Sequence, residues 1–438
     1  MRFIPLAPRR LLALLLTVVL CPVLTAATLP HPATAAELQQ LGVDPAPLAQ
    51  LDAAVARAIE QRQMAGAVTL IARRGQIIHF SAQGFADLES ARPMARDSIF
   101  RLASMTKPIA SLALLLLMED GKCSPEDPLS KYLPEFAHPD VLVSQDSLDG
   151  VQILKTRPAS KPVLLRHVLT HTAGFASQYG GTLGAAYEVV AKNQYQSNLE
   201  VFCQRLARMP LNHEPGEGWI YGPGINVVSR LVEVISGQSF PEFLERRIFR
   251  PLGMKDTKFF LEPADVPRFT TYYERDEKGA LKVSDPGTIA SPKVSGPKTF
   301  FSGSGGLHST AADYFTFCQM VLQDGQYNGV RIAQPTTIAM MKTDQVPATL
   351  DAALPPTDGA KRNGFTFGYQ IKRRDGGPDP LPAGTIRWGG ATGPRFCIDL
   401  ADEVVAIFLT QLPSGTPLEP RNAFYGHVMA AIGRKSAR

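Results

Sequence analysis

The chain is short of the features that announce several common chemistries. Only 5 of its 438 residues are cysteine, and none falls in a Cys-x-x-Cys pattern, so neither a zinc knuckle nor a thioredoxin-like redox motif is suggested. Isolated apolar or free thiols are the simplest reading of the widely spaced Cys123, Cys203, Cys318 and Cys397. An oxidising compartment would allow disulfides among them without fixing their pairing. There is no His-Glu-x-x-His, no phosphate-binding glycine loop and no Gly-x-Ser-x-Gly elbow, which removes zincins, P-loop enzymes and ordinary α/β-hydrolases. No basic stripe accompanies the net charge of +5, so nucleic acid is not an expected partner. No repeat or low-complexity tract interrupts the chain. The apolar run near the start, 11–20, is too short to span a bilayer.

That run follows Arg9-Arg10 and precedes small residues from Thr25 onward, the arrangement of a secretion leader. Cleavage near Ala26-Ala27 or at Ala33-Thr34-Ala35 fits equally, and the paired arginines also permit twin-arginine export. We therefore expect residues 1–36 to be a leader, no stable membrane span after its removal, and a periplasmic or secreted enzyme.

Beyond the leader, a helix is predicted from Asp44-Pro45, with Leu48, Leu51, Val55 and Ile59 at helical spacing. Apolar runs 68–72 and 76–80 flank Arg73-Arg74-Gly75 and read as a hairpin. Residues 108–299 look mainly helical, with stops at Gly121, Gly237 and Pro251. Within them, 136–162 and 176–196 read as irregular excursions. Short strand-like runs return at 365–371, 385–388, 396–400 and 404–409, and a helix closes the chain near 423–432. The pattern is α+β: an antiparallel sheet built by both ends of the chain and flanked by helices, with a mainly helical insertion. The expected division is 37–107 with 300–438 for the sheet and 108–299 for the helical part, with the active site in the cleft between them.

Ser-x-x-Lys occurs as Ser104-Met105-Thr106-Lys107 and as Ser295-Gly296-Pro297-Lys298. The Gly-Pro pair in the second opposes a helical turn, so nothing forces its serine and lysine together. In the first, a spacing of three puts both side chains on one face of a turn, and Pro108 is tolerated because first-turn amides lack intrahelical partners. A serine hydroxyl needs a base to become a nucleophile, and a desolvated neutral lysine can serve. The amide of Ser104 at a helix start suits a developing oxyanion. A capping serine beside a solvated lysine is the bland alternative.

Phe100-Arg101-Leu102-Ala103-Ser104-Met105-Thr106-Lys107-Pro108, Leu165-Arg166-His167-Val168-Leu169-Thr170-His171-Thr172-Ala173-Gly174, Pro251-Leu252-Gly253-Met254-Lys255-Asp256-Thr257 and Gly305-Gly306-Leu307-His308-Ser309-Thr310 occur in an order that resembles the serine β-lactamase and penicillin-binding-protein superfamily. The likeness is to its class C-related branch and the family VIII carboxylesterases. The resemblance implies a β-lactamase/transpeptidase-like fold and an acyl-enzyme at Ser104. It also implies that Tyr221 stands in the family's Tyr-x-Asn triplet, whose asparagine position is Pro223 here. The family's Lys-Thr-Gly corresponds to Trp388-Gly389-Gly390. By the same resemblance the Ala391 amide completes an oxyanion hole with that of Ser104, and Trp388, Gly389 and Gly390 contact substrate. No metal or other cofactor is implied. Arg395 could compensate for the missing lysine, but a solvated strand-end charge is the preferred reading. His167 and His171 are expected to make internal hydrogen bonds.

The resulting expectation is a serine hydrolase of small esters. Alternatives are a β-lactamase or D-alanyl-D-alanine carboxypeptidase, an acyltransferase, or a non-catalytic binder of peptidoglycan or a protein partner. The substrate in the enzymatic readings is a small-molecule ester or amide.

Overall fold

A computed structural model describes residues 32–148, 151–354, 356–358, 361–376 and 378–434. The leader up to residue 31 lies outside the described residues; the second cleavage candidate, Ala33-Thr34-Ala35, is where a short helix, Ala35–Gln40, begins under a Thr34 cap. Helix α1 (Ala46–Glu60) starts as the sequence predicts: the Asp44 carboxylate accepts the Ala46 N–H at 2.9 Å, and Leu48, Leu51 and Val55 are buried.

Strands β1 (Gly66–Arg73) and β2 (Gln76–Asp87) form the expected hairpin. Its turn residues Arg74 and Gly75 both have positive φ, the geometry that matches the natural strand twist. β2 continues to the short β3 (Arg92–Pro93). From the other end of the chain come β4 (Gly364–Phe365), β5 (Gln370–Ile371), β6 (Ile386–Gly389), β7 (Arg395–Asp399) and β8 (Val404–Leu409). The eight make one sheet in the order β4-β5-β6-β7-β8-β1-β2-β3, joined where β8 pairs antiparallel with β1. The predicted single strand over 365–371 is two short strands. Gly368, at φ 126°, turns the chain between them, and a Cβ there would come within 3.2 Å of the Pro108 Cα.

Alternation along the strands feeds two cores. Val68, Leu70, Val405, Ile407, Phe396 and Ile398 point into the larger one. Ala67, Ile71, Ala406, Phe408 and Cys397 point into the smaller, which α1 and the last helix, Glu419–Ala431, cover. On the larger face, the helix Ala311–Leu322 lies against β1 and β8, and beyond it α2 (Lys107–Glu119) packs on α3 (Gly224–Ser236). α2 is buried on nearly every side from Lys107 to Leu117, so its apolar residues run all round rather than along one stripe.

The block between residues 108 and 299 departs from its mainly helical expectation in two places. Asp140–Leu148 and Val151–Pro158 form a β-hairpin rather than an irregular excursion, and Tyr272–Arg275 pairs with Leu281–Asp285. The 176–196 stretch contains a helix, Gly184–Ala191. Cys123, Cys203, Cys318 and Cys397 are buried free thiols. No helix among the described residues is long and apolar enough to cross a membrane.

Candidate active site

Ser104 lies on a 3₁₀ turn, Ala103–Thr106, which leads directly into α2. The sequence pointed to an α-helical turn; the tighter coil eclipses side chains three apart and so serves the pair better. The turn is clamped by its surroundings. The preceding strand Phe100–Arg101 pairs with His308–Ser309. The buried Arg101 side chain donates to Asp285 Oδ2 (2.9 Å) and Thr270 O (2.6 Å), and its guanidinium lies 4.0 Å from the centre of the Phe269 ring. Tyr314 Oη donates to Met105 O, and the Leu307 N–H to Thr106 Oγ1. Ala103 holds a positive φ of 45°, a strained conformation for a side-chain-bearing residue next to the serine.

Lys107 Nζ is 3.0 Å from Ser104 Oγ and donates to Ser304 O at 2.6 Å. Among the described residues no carboxylate pairs with it. Burial alone therefore pulls its pKa down to about 7, which leaves a large neutral fraction near neutral pH. The Ser304 carbonyl is presented by Gly303-Ser304, a loop fixed by Asn226. Asn226 Oδ1 accepts from Ser302 Oγ (2.8 Å) and from the Ser304 N–H (3.0 Å). Gly303 is needed for the approach, since a Cβ there would lie 2.1 Å from Ser229 Oγ and 2.9 Å from Ile225 O. Ser304 and Asn226 were missed in the sequence, whose only hint was the cluster of glycines at 303–306.

Tyr221 lies just before α3. Its carbonyl is held by Ser177 Oγ at 2.6 Å, and its hydroxyl donates to Ser104 Oγ at 2.8 Å. Lys107 Nζ stands 4.7 Å from the ring centre. Although the ring keeps one exposed edge to the cleft, the surrounding protein pushes the phenol up to about 12. Its hydrogen bond with Ser104 and the nearby Trp388 indole oppose that shift more weakly. The indole N–H has no well-formed hydrogen bond of its own, so its influence on the phenol is through proximity. Pro223 is the cap residue of α3, and the polar contacts of that segment are made by Asn226 in its first turn.

His167 makes the expected internal bond, its Nδ1 accepting the Leu164 N–H at 3.1 Å. His171 differs: it is buried at φ 62° between the rings of Trp219, Tyr221 and Phe365, and its Nε2 has no partner. Burial, and then the Lys107 charge, hold it well below its usual pKa, so it stays neutral. The second Ser-x-x-Lys does not assemble: Ser295 ends a four-residue helix and Lys298 turns to Glu262.

Across from Ser104, Trp388 and Gly389 end β6, and the Trp388 ring packs on Tyr221 and Phe365 at 5.5 and 5.3 Å. Gly390 passes so close to the serine turn that a Cβ would sit 2.3 Å from Leu102 O. The Ala391 carbonyl is fixed by the Ser414 N–H at 2.8 Å. Ser104, Tyr221, Trp388, Gly389, Gly390 and Ala391 all line one open cleft of about 680 Å³. Arg395 lines it as well, which corrects its reading as a solvated strand-end charge. The side chain is tucked under the last helix, donates to Arg421 O at 2.8 Å and has its pKa lowered by burial. Sequence also missed Arg387, Asp379 and Asn422 in this cleft.

A family model described as Beta-lactamase matches residues 51–430. Protein Rv1367c of Mycobacterium tuberculosis is 31% identical over 367 residues, covering 80% of this chain and 86% of its own. Esterase EstB of Burkholderia gladioli is 29% identical, covering 83% and 90% respectively. Among solved structures, EstCE1, described as a hydrolase with promiscuous acyltransferase activity, superposes with a TM-score of 0.71 at 26% identity, covering 89% of this chain and 100% of its own.

Proposed function

Because this chain belongs to the Beta-lactamase family, with its serine-hydrolase fold, we propose that it is an exported carboxylesterase working through an acyl-enzyme on Ser104. The observation that carries the reading is the meeting of Lys107, Ser104 and Tyr221 at 3.0 and 2.8 Å in a cleft whose opposite wall is Trp388.

Neutral Lys107 takes the Ser104 proton as Oγ attacks the ester carbonyl, and the amides of Ser104 and Ala391 receive the oxyanion. The alkoxide leaves with a proton relayed from Lys107 through Tyr221, and Ser104 is left acylated. Water then attacks the acyl carbon, giving its proton to Lys107, and the acid departs as Ser104 regains its own. With one group near 7 and the other near 12, the lysine is the base and the tyrosine the donor. Gly389 and Gly390 let the acyl chain approach the strand backbone.

Esters are favoured over β-lactams because the position of the family's Lys-Thr-Gly lysine is aromatic. Acyl transfer to an alcohol is a second reading, supported by the volume of the open cleft and by the acyltransferase activity named for EstCE1. The test pairs the purified protein with its Ser104→Ala variant on a short-chain nitrophenyl ester and a chromogenic cephalosporin. Serine-dependent turnover of the ester alone is expected. Comparable cephalosporin turnover would reverse the ranking, and absence of both turnover and a fluorophosphonate adduct would favour a binding protein.

A further inference from the structure

The cleft has a cationic compartment that the acyl-transfer machinery does not use. In the antiparallel register Gly389 faces Arg395 and Arg387 faces Cys397, so Arg387, Gly389 and Arg395 share the side of the sheet turned to the last helix. A Cβ on Gly389 would lie 3.7 Å from the Arg395 Cβ. With no side chain at 389, nothing from that position covers Arg395, and Ser104 and Arg395 line the same cleft. Asn422 and Tyr425 of the last helix line it as well.

Its charges do not balance. Asp379 is shared by Arg387, which ion-pairs with it, and by buried Lys372 at 3.8 Å. Arg395 has no carboxylate within 4.0 Å among the described residues; it donates to one backbone carbonyl and lies 5.9 Å from the Tyr425 ring centre. Arg421 next to it is buried and bonded only to carbonyls, those of Leu412, Pro413, Ser414 and Thr416. Of the charged residues that line the cleft, Arg387 is thus paired with Asp379, while Arg395 faces the cleft with no carboxylate of its own among the described residues. Arg395 is half-buried at the cleft wall, and its planar guanidinium fork, without a carboxylate partner there, suits an incoming carboxylate.

We propose that Arg395, seen from the serine across side-chain-free Gly389, anchors a carboxylate of the substrate, so that the preferred esters are half-esters of dicarboxylic acids or similar anionic esters. This rests on the esterase reading of the same cleft and adds its substrate class. Arg395 acts here as a specificity-determining residue remote from the bond that breaks.

The test compares the nitrophenyl half-ester of glutaric acid with nitrophenyl hexanoate, of closely similar length but uncharged. For the unmodified protein the ratio of their kcat/KM values is expected to favour the half-ester by about tenfold or more, the scale of a charge-assisted contact. Arg395→Met is expected to collapse the ratio towards one, with Arg395→Lys intermediate. A ratio at or below one in the unmodified protein, or one that Arg395→Met leaves in place, overturns the proposal. A second readout needs neither turnover nor a stable variant: glutarate, but not glutaramide at matched ionic strength, should raise the thermal midpoint of the unmodified protein. If neither ester is turned over but glutarate alone stabilises, the esterase reading fails and the anion site stands. If esters are turned over and glutarate does nothing, the anion site fails and the esterase stands.

Discussion

The state of Lys107 makes the sharpest prediction, because its depressed pKa comes from desolvation with no compensating carboxylate. Moving an ammonium from its usual 10.5 to about 7 corresponds to about 5 kcal/mol of lost solvation at roughly 1.4 kcal/mol per unit. If Lys107 must be neutral to accept the Ser104 proton, log kcat/KM for a neutral ester should rise with unit slope below pH 6, bend near 7 and level off by about 8. Only about one molecule in a hundred is competent at pH 5. Tyr221, pushed to about 12, adds no second bend below pH 10. The same shift has a stability consequence of defined sign. Between 7 and 10.5 the unfolded lysine holds its proton and the folded one does not, so folding gains stability as pH rises through that window. Lys107→Met should therefore be stabilised most, relative to the parent, at pH 6 and below, with the gain shrinking towards pH 10 in calorimetric melts. A flat rate profile from pH 5.5 to 8.5, or a bend above 9, would show that no group titrating near 7 controls the rate and would refute Lys107 as a base poised there by burial.

Two further substitutions test the geometry around it. Tyr221→Phe keeps the ring among His171, Trp219 and Trp388 but deletes the hydroxyl that donates to Ser104; kcat on the neutral ester should fall about 10²–10⁴-fold while the bend near pH 7 persists, and loss of the bend would mean that the phenol, not the amine, is being titrated. Gly390→Ala puts a methyl 2.3 Å from Leu102 O, where only backbone can yield; it should cost about 1–3 kcal/mol in denaturant melts and lower kcat/KM by separating β6 from the serine turn, and an unchanged rate would show that this close approach is dispensable.

Local motifs were legible because their geometry is carried by neighbours in the chain. Ser104 and Lys107 meet through a single turn, so spacing alone could bring them together, even though the turn proved to be 3₁₀. The hairpin at Arg74-Gly75 and the helix after Asp44-Pro45 are likewise short-range statements. The misread features depend on contacts across the fold. Arg395 looked solvated because nothing beside it in the chain reveals that Glu419–Ala431 folds over β7 and accepts from its guanidinium. The 365–371 run read as one strand because Gly368 gave no sign that α2 would press on it from Pro108. The 140–158 hairpin buries Val141 but leaves Val143 and Ile153 exposed, so its apolar residues do not alternate as those of a half-buried strand would.

The exchange of a lysine for Trp388 also bears on the base itself. A second ammonium against Tyr221 would stabilise phenolate, and its field would lower the Lys107 pKa further. With an indole there, packed at 5.5 Å from the phenol and 5.3 Å from Phe365, Lys107 is the only cation touching Ser104 among the described residues, and its pKa is set by burial alone. The wall facing the scissile carbonyl is then neutral and apolar. Positive charge is displaced to the far side of Gly389, where it can recognise an anion without altering the groups that move the proton. On this division of labour, Arg395→Met should leave the pH bend of the neutral ester near 7, whatever it does to the preference between esters. A bend displaced by a full unit would show that the two compartments are electrostatically one.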